Sequence, residues 1–157
     1  MGQEIERIII SLFPLLSSDV HFKVTSPETP NYNCIAWAYD CSENKWMEPP
    51  LYRIDGVWWP DDVPVNYNIK AYIKAFELRG YTVCSDCKHE VGFRKIALYV
   101  DTQNNCTHAA RELVSKENCG KWTSKLGKLN DIIHGSPYVL EGERYGRVYC
   151  IMKQKFQ

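Results

Sequence analysis

Residues 32–40, with the sequence YNCIAWAYD, decide how the rest of the chain is interpreted. The stretch is apolar and rich in good helix formers, and it follows a turn-rich loop at 26–33. Asn33 is a suitable N-cap because a short polar side chain can accept a free backbone N–H of the first helical turn. We therefore expect a helix over Cys34–Asp40 with the Cys34 thiol at its N-terminal end.

The flanking sequence predicts one further helix on each side. Residues 3–16 carry apolar side chains at spacings of three and four until Pro14 ends the pattern. Residues 68–79 repeat this spacing, and Gly80 supplies the C-terminal stop. Between the helices, residues 42–67 carry aromatic side chains and several prolines with little periodicity, so we expect a long irregular loop.

The second half of the chain reads as a run of short strands separated by polar turns. Strands are expected at 81–84, 95–100, 107–114, 121–125 and 146–153, with a shorter strand-like stretch at 21–25. Residues 131–134 are predicted to form a short helical turn. Helices followed by closely spaced strands are typical of an α+β domain, here with an antiparallel sheet of about four to six strands.

Composition restricts the class of protein. The chain has 157 residues, no net charge and 45% hydrophobic residues, which suits one globular domain over residues 1–157 and argues against disorder. A chain without basic excess is not expected to bind nucleic acid generally. No apolar run approaches the roughly 20 residues of a membrane span. Acidic Glu4 and Glu6 precede the longest apolar run, so we expect no secretory signal and a cytoplasmic location.

Seven cysteines, an odd number without a secretory signal, predict reduced thiols rather than a disulfide framework. Cys84 and Cys87 are spaced like a pair of zinc ligands and are followed by His89. One such pair gives two of the four ligands that zinc needs, and adding Cys106 and Cys119 matches no standard spacing. We therefore predict neither a metal ion nor a cofactor, and keep a zinc-stabilised interaction domain as a minor alternative.

Cysteine catalysis requires a thiolate, which a helix N-terminus and a neighbouring imidazole both favour. Cys34 has the first of these features in the predicted helix. Of the four histidines, His108 lies in a predicted strand next to Ala109 and Ala110, whose small side chains leave room for a helix to pack. Cys34 and His108 are therefore the candidate catalytic pair.

The stretch Tyr-Asn-Cys-Ile-Ala-Trp-Ala at 32–38 resembles the nucleophile helix of papain-like cysteine peptidases of the NlpC/P60 branch. In that branch the histidine lies on a strand after the helix and a third polar residue lies on the next strand. Segments 95–99, 107–111 and 122–127 follow in this order. The chain is also similar, over about residues 26–152, to a small bacterial family with the phrases YNCIAWA, WWP, THAAR and WTSKLG.

The resemblance implies a papain-like fold in which the helix bearing the nucleophile packs on the sheet. It also implies a hydrolase or acyltransferase that acts on an amide, isopeptide, ester or thioester bond of a peptide or other substrate. Cys34 would attack the carbonyl as a thiolate, with His108 as general base and Ser124 orienting the imidazole. The Cys34 N–H and the Tyr32 hydroxyl would hold the oxyanion.

Other assignments remain open at this level. Asp131 and His134 are alternative residues to orient the imidazole. Trp59 and Lys125 are candidate substrate-binding residues, although Trp59 also suits a packed core edge and Lys125 a solvated strand edge. The helix reads Asn-Cys-Ile-Ala where the NlpC/P60 branch usually has Asp-Cys-Ser-Gly. A papain-like binding or adaptor module without turnover is the main alternative function, because a serine at 124 is unusual for the third residue and the loop at 42–67 is neutral and rich in aromatic side chains.

Overall fold

The structure is a computed structural model that describes residues 2–156. Its largest element is one antiparallel sheet of seven strands. The helices are α1 Gly2–Leu12, α2 Cys34–Asp40 and α3 Ile69–Glu77. The strands are β1 Lys23–Val24, β2 Thr82–Cys84, β3 Phe93–Val100, β4 Cys106–Glu112, β5 Trp122–Lys125, β6 Asp131–His134 and β7 Arg147–Lys155. Short 3₁₀ helices span Pro14–Ser18 and Pro137–Leu140. The order across the sheet is β1-β6-β5-β4-β3-β7-β2, so the α+β class is confirmed.

The sheet is wider than the predicted four to six strands because β6 belongs to it. The prediction of a helical turn at Asp131–His134 is wrong, since this segment pairs with β5 on one side and β1 on the other. Four residues are too few for helical periodicity to be distinguished from a strand. The two neighbouring strands, which supply backbone partners on both edges, decide the conformation.

Helix α1 ends earlier than predicted. It stops at Leu12, and Pro14 starts a separate 3₁₀ helix, because proline cannot donate the next helical hydrogen bond. The predicted domain limits at Met1 and Gln157 lie outside the described residues. Between them, residues 2–156 include no helix long and apolar enough to cross a membrane.

Helix α2 has the predicted bounds and is anchored by Asn33. The Asn33 side-chain oxygen accepts the N–H groups of Ala36 at 3.1 Å and of Met47 at 3.0 Å, and its amide donates to the Met47 carbonyl at 2.8 Å. One side chain thus caps the helix and also ties it to the irregular loop that follows. The N-cap prediction is correct, and the attachment to Met47 is an additional function of the same residue.

The sheet separates two apolar cores. Helices α2 and α3 cover one face, which we call the α2 face, and α1 with the 3₁₀ helices covers the other, the α1 face. Along β4, Ala109 packs on the α2 face and Ala110 on the α1 face, as expected for alternating side chains of a strand. Each polar residue of β4 is therefore assigned to one face by its register.

Candidate functional site

Cys34 occupies the first turn of α2 and is buried on the α2 face. Burial raises the pKa of its thiol to about 11, although backbone hydrogen bonds from Ala109, Ile35 and Cys34 itself act in the opposite direction. A thiol with a raised pKa carries almost no thiolate at neutral pH. The backbone N–H groups at the helix N-terminus lower the pKa of the thiol as expected, but desolvation raises this pKa by more.

His108 lies on the opposite face of β4. It pairs with Tyr99 of β3, which belongs to the α1-face core, and its ring stacks on that of Tyr145 with centroids 4.0 Å apart. Within residues 2–156 no hydrogen bond joins Cys34 to His108. The two side chains of the candidate pair therefore belong to different cores.

The predicted hydrogen bond between His108 and Ser124 is present and continues into a buried chain. His108 Nε2 lies 3.0 Å from Ser124 Oγ, which lies 2.8 Å from His134 Nε2. His134 Nδ1 lies 2.8 Å from the carbonyl oxygen of Ser136. Because a carbonyl can only accept, His134 donates from Nδ1, Ser124 donates to His134, and His108 Nε2 donates to Ser124.

This direction requires neutral rings, because a protonated His134 would donate from Nε2 as well as from Nδ1. Burial lowers the pKa of His134 to about 4 and holds the pKa of His108 well below its ordinary value. The acceptor nitrogen of His108 is therefore Nδ1, which is buried and has no hydrogen-bond partner in the described residues. Of the alternative orienting residues, His134 belongs to this chain through Ser124, while Asp131 lies on the α2 face.

Tyr32 and Asp131 form the polar centre of the α2 face. The Tyr32 hydroxyl donates to Asp131 Oδ2 at 2.6 Å, so this hydroxyl is engaged by a carboxylate rather than free for an oxyanion. Burial raises the pKa of Asp131, while Tyr32 and Lys125 oppose the shift. Asp131 Oδ1 is buried and has no hydrogen-bond partner in the part of the chain described.

Lys125 is a buried structural residue rather than a solvated strand-edge lysine. Its ammonium donates to three carbonyl oxygens, those of Thr29 at 2.8 Å, Gly127 at 2.6 Å and Leu129 at 2.5 Å. An ammonium has three N–H donors, and all three are used here. Lys125 therefore has no donor left for a substrate carboxylate.

Trp59 lies away from this polar centre, at the edge of the α2-face core. Its ring packs edge-on against Tyr72 of α3, with centroids 5.0 Å apart, and its Nε1 donates to the Pro64 carbonyl at 3.2 Å. The sequence left two roles open for Trp59, a packed core edge and substrate binding. This environment corresponds to the packed core edge.

A cavity of about 330 Å³ opens beside Tyr32 and Asp131. Trp37 of α2 and Thr123 of β5 form part of its wall, and the exposed carboxylate of Glu43 lies at its rim. The Trp37 indole N–H donates to the Thr123 hydroxyl at 3.2 Å. The cavity thus combines aromatic walls with two carboxyl groups.

Cys84 ends β2 and Cys87 lies in the loop after it. Across residues 2–156, no group of three or more His, Cys, Asp and Glu side chains is arranged to hold a metal ion. The Cys84 sulfur instead lies 3.6 Å from the Asp86 carbonyl oxygen, within a turn.

Fold and site together define a small α+β domain whose seven-stranded sheet carries a buried cysteine on one face and a histidine–serine–histidine chain on the other. The family model described as "Domain of unknown function (DUF7689)" matches residues 23–153, and the chain belongs to this family. The match begins at the first residue of β1 and ends within β7, so it includes nearly all of the sheet. No curated protein and no solved structure matches the chain.

Proposed function

We propose that the domain is a papain-like binding module that does not turn over a substrate. The observation that carries this proposal is the placement of Cys34 and His108 on opposite faces of β4. General-base activation of a thiol needs the acceptor nitrogen within hydrogen-bond reach of the sulfur. The thiol and the imidazole are also both held in their neutral forms by burial.

The papain-like part of the proposal rests on the order of the elements. A cysteine opens a helix that packs on the sheet, a later strand carries His108, and the next strand carries Ser124. Helix α2 packs against β4, the strand that carries the histidine. This is the order that the sequence shares with the NlpC/P60 branch. It is consistent with a papain-like fold that lacks the contact between the cysteine and the histidine.

The binding site in this proposal is the cavity beside Tyr32, Trp37 and Asp131. Its two carboxyl groups favour a cationic group, because a charged N–H donor forms a strong hydrogen bond to a carboxylate. The Trp37 and Tyr32 rings already pack against the cations of Arg111 and Lys125. Asp131 Oδ1 has no partner in the described residues, so a bound N–H group could supply one. We infer that the ligand is a peptide carrying a lysine or arginine side chain.

A titration followed by two-dimensional NMR tests this proposal. The probes are a short lysine-containing peptide and the same peptide with its lysine acetylated. We expect the unmodified peptide to shift the resonances of Tyr32, Trp37 and Asp131, and the acetylated peptide to bind at least about tenfold more weakly because a charge-assisted hydrogen bond is lost.

Asp131→Asn removes the negative charge and leaves an oxygen that can accept from Tyr32, so it should reproduce the loss seen on acetylation. Asp55→Asn, at an exposed carboxylate that does not line the cavity, is the matched control and should bind as the parent does. Equal affinity for both peptides, or an affinity that Asp131→Asn leaves unchanged, contradicts the proposed ligand class.

The cysteine hydrolase is the second candidate, and one observation favours it. The Cys34 sulfur is approached by backbone N–H groups at a helix N-terminus, and His108 Nδ1 is an acceptor without a partner in the described residues. Catalysis would require the His108 ring to leave its stack on Tyr145 and reach the α2 face. The thiol reactivity of Cys34 distinguishes this candidate from the binding module.

A further inference from the structure

A second cysteine–histidine constellation lies at the edge of the molecule, formed by residues from three separate segments. Cys119 Sγ lies 3.0 Å from His89 Nε2, and His89 Nδ1 lies 2.9 Å from Glu112 Oε2. His89 is in the loop between β2 and β3, Glu112 is the last residue of β4, and Cys119 is in the loop between β4 and β5. The imidazole therefore bridges a thiol and a carboxylate.

The carboxylate is firmly positioned. Glu112 is completely buried, and its other oxygen, Oε1, accepts the backbone N–H of Lys95 at 3.1 Å. With Oε2 accepting from His89 Nδ1, the ring presents the lone pair of Nε2 to the thiol. A fixed carboxylate also stabilises the imidazolium that forms when His89 takes the thiol proton.

The thiol is open to solvent. Cys119 is exposed, whereas Cys34 is buried and the other five cysteines are half-buried. Gly120 follows Cys119 and has a φ of +85°. It lies next to His89, since a Cβ added to this glycine would be 3.8 Å from His89 Cβ. The loop conformation thus brings the thiol next to the ring while leaving the sulfur accessible.

We propose that Cys119 is a redox-reactive thiol that His89 and Glu112 activate toward small hydroperoxides. His89 Nε2 takes the thiol proton, and the sulfur attacks one oxygen of the peroxide O–O bond. The S–O bond forms and the O–O bond breaks, and the departing oxygen leaves as water or an alcohol with the proton from the imidazolium. Cys119 is oxidised to a sulfenic acid and the hydroperoxide is reduced.

The surroundings favour peroxide over an acyl substrate. Acyl transfer needs at least two N–H groups to hold an oxyanion. The N–H groups of Asn118, Gly120 and Lys121 already donate to backbone carbonyls, which leaves at most the N–H of Cys119 itself beside the sulfur. Reduction of a peroxide needs a nucleophilic sulfur and a group that passes its proton to the leaving oxygen, and Cys119 and His89 are placed to supply them. The thiol and the carboxylate lie at opposite ends of the imidazole, so the three groups do not converge on one metal ion.

The experiment uses the full chain, reduced and then exposed to hydrogen peroxide in the presence of dimedone, which traps sulfenic acids. Mass spectrometry measures the adduct at each cysteine over time. We expect the Cys119 adduct to form at least about tenfold faster than that of any other cysteine, since a positioned base accelerates formation of the nucleophile. Cys41 is the internal reference: it is half-buried and its sulfur accepts from the Arg94 guanidinium at 3.8 Å rather than facing an imidazole.

His89→Ala should slow Cys119 trapping to a rate near that of Cys41, and free imidazole in the buffer should restore part of the rate. His89 is on the surface, so the variant is expected to fold, and thermal unfolding followed by circular dichroism checks this. Glu112→Gln should also slow trapping, because its amide donates to Nδ1 and turns the Nε2 proton toward the thiol. Trapping of Cys119 no faster than Cys41, or trapping indifferent to His89→Ala, overturns the proposal.

Discussion

Replacing Lys125 with methionine removes a buried ammonium and keeps an unbranched side chain of similar length. Thr29, Gly127 and Leu129 then each lose a hydrogen bond at a carbonyl oxygen. An unsatisfied acceptor costs about 1–3 kcal/mol when it is fully buried and less at these half-buried residues, and release of the desolvated charge offsets part of the total. We expect Lys125→Met to lower the free energy of unfolding by about 3 kcal/mol.

Urea unfolding followed by tryptophan fluorescence measures this change. With a denaturant slope of about 2 kcal/mol/M, the midpoint should fall by about 1.5 M. Lys128→Met is the matched control, because Lys128 is exposed three residues further on, and its midpoint should stay within about 0.3 M of the parent. A Lys125→Met midpoint as high as that of the control would refute the structural role assigned to this ammonium.

Two further predictions concern buried polar side chains. The pKa of His134 is lowered to about 4, so between pH 4 and 6.5 the unfolded chain binds more protons at this residue than the folded chain does. The contribution of His134 to stability is therefore full above pH 6.5 and falls by about 3 kcal/mol as the pH decreases to 4. This slope should be smaller in His134→Gln, measured by urea unfolding at several pH values. Asn33→Ala should cost about 2–3 kcal/mol, because both the α2 cap and the attachment to Met47 are lost.

Each of these predictions has a matched control. His21→Gln changes an exposed histidine and should keep the acid slope of the parent, whereas a slope unchanged in His134→Gln would contradict the neutral buried ring. Asn68→Ala removes an N-cap that accepts a single N–H, that of Lys70 at 2.9 Å, so it should cost about 1 kcal/mol. A cost for Asn33→Ala no larger than for Asn68→Ala would contradict the additional bonds to Met47.

The sequence predicted those features that depend on neighbouring residues. Helix α2 and its Asn33 cap follow from a local pattern, and so do the strands whose apolar runs are bounded by turn residues. The segment Asp131–His134 was misassigned because its conformation is decided by pairing with β5 and β1, both of which are contributed from elsewhere in the chain.

The relation between Cys34 and His108 could not be predicted for a similar reason. Which face of the sheet a strand residue occupies depends on register, and β3 and β4 change register between Tyr99 and Val100. The resemblance to the NlpC/P60 branch, which places a third polar residue on the strand after the histidine, identified Ser124 as the partner of His108. The sequence gave no signal that Lys125 is buried. Two of its acceptors, Gly127 and Leu129, lie in the loop that follows it, but the third, Thr29, is 96 residues away and reaches the ammonium only in the folded chain.

The arrangement of Cys119, His89 and Glu112 could not be predicted from the sequence either. The thiol and the imidazole are 30 residues apart and lie in two irregular loops, where periodicity carries no information. The spacing along the chain suggests His89 only as a possible zinc ligand beside Cys84 and Cys87. Loop placement on a common scaffold, rather than spacing along the chain, brings the three groups together.

Site-resolved alkylation of the folded protein at pH about 6 with limiting iodoacetamide tests most directly whether Cys34 is a catalytic nucleophile. With its pKa raised to about 11, Cys34 holds roughly one thiolate in 10⁵ at that pH, so it should remain unlabelled until the protein is unfolded. Labelling should begin at Cys119, and His108→Ala should leave the labelling of Cys34 unchanged. Labelling of Cys34 ahead of all other cysteines, slowed by His108→Ala, would contradict the binding module and favour the hydrolase.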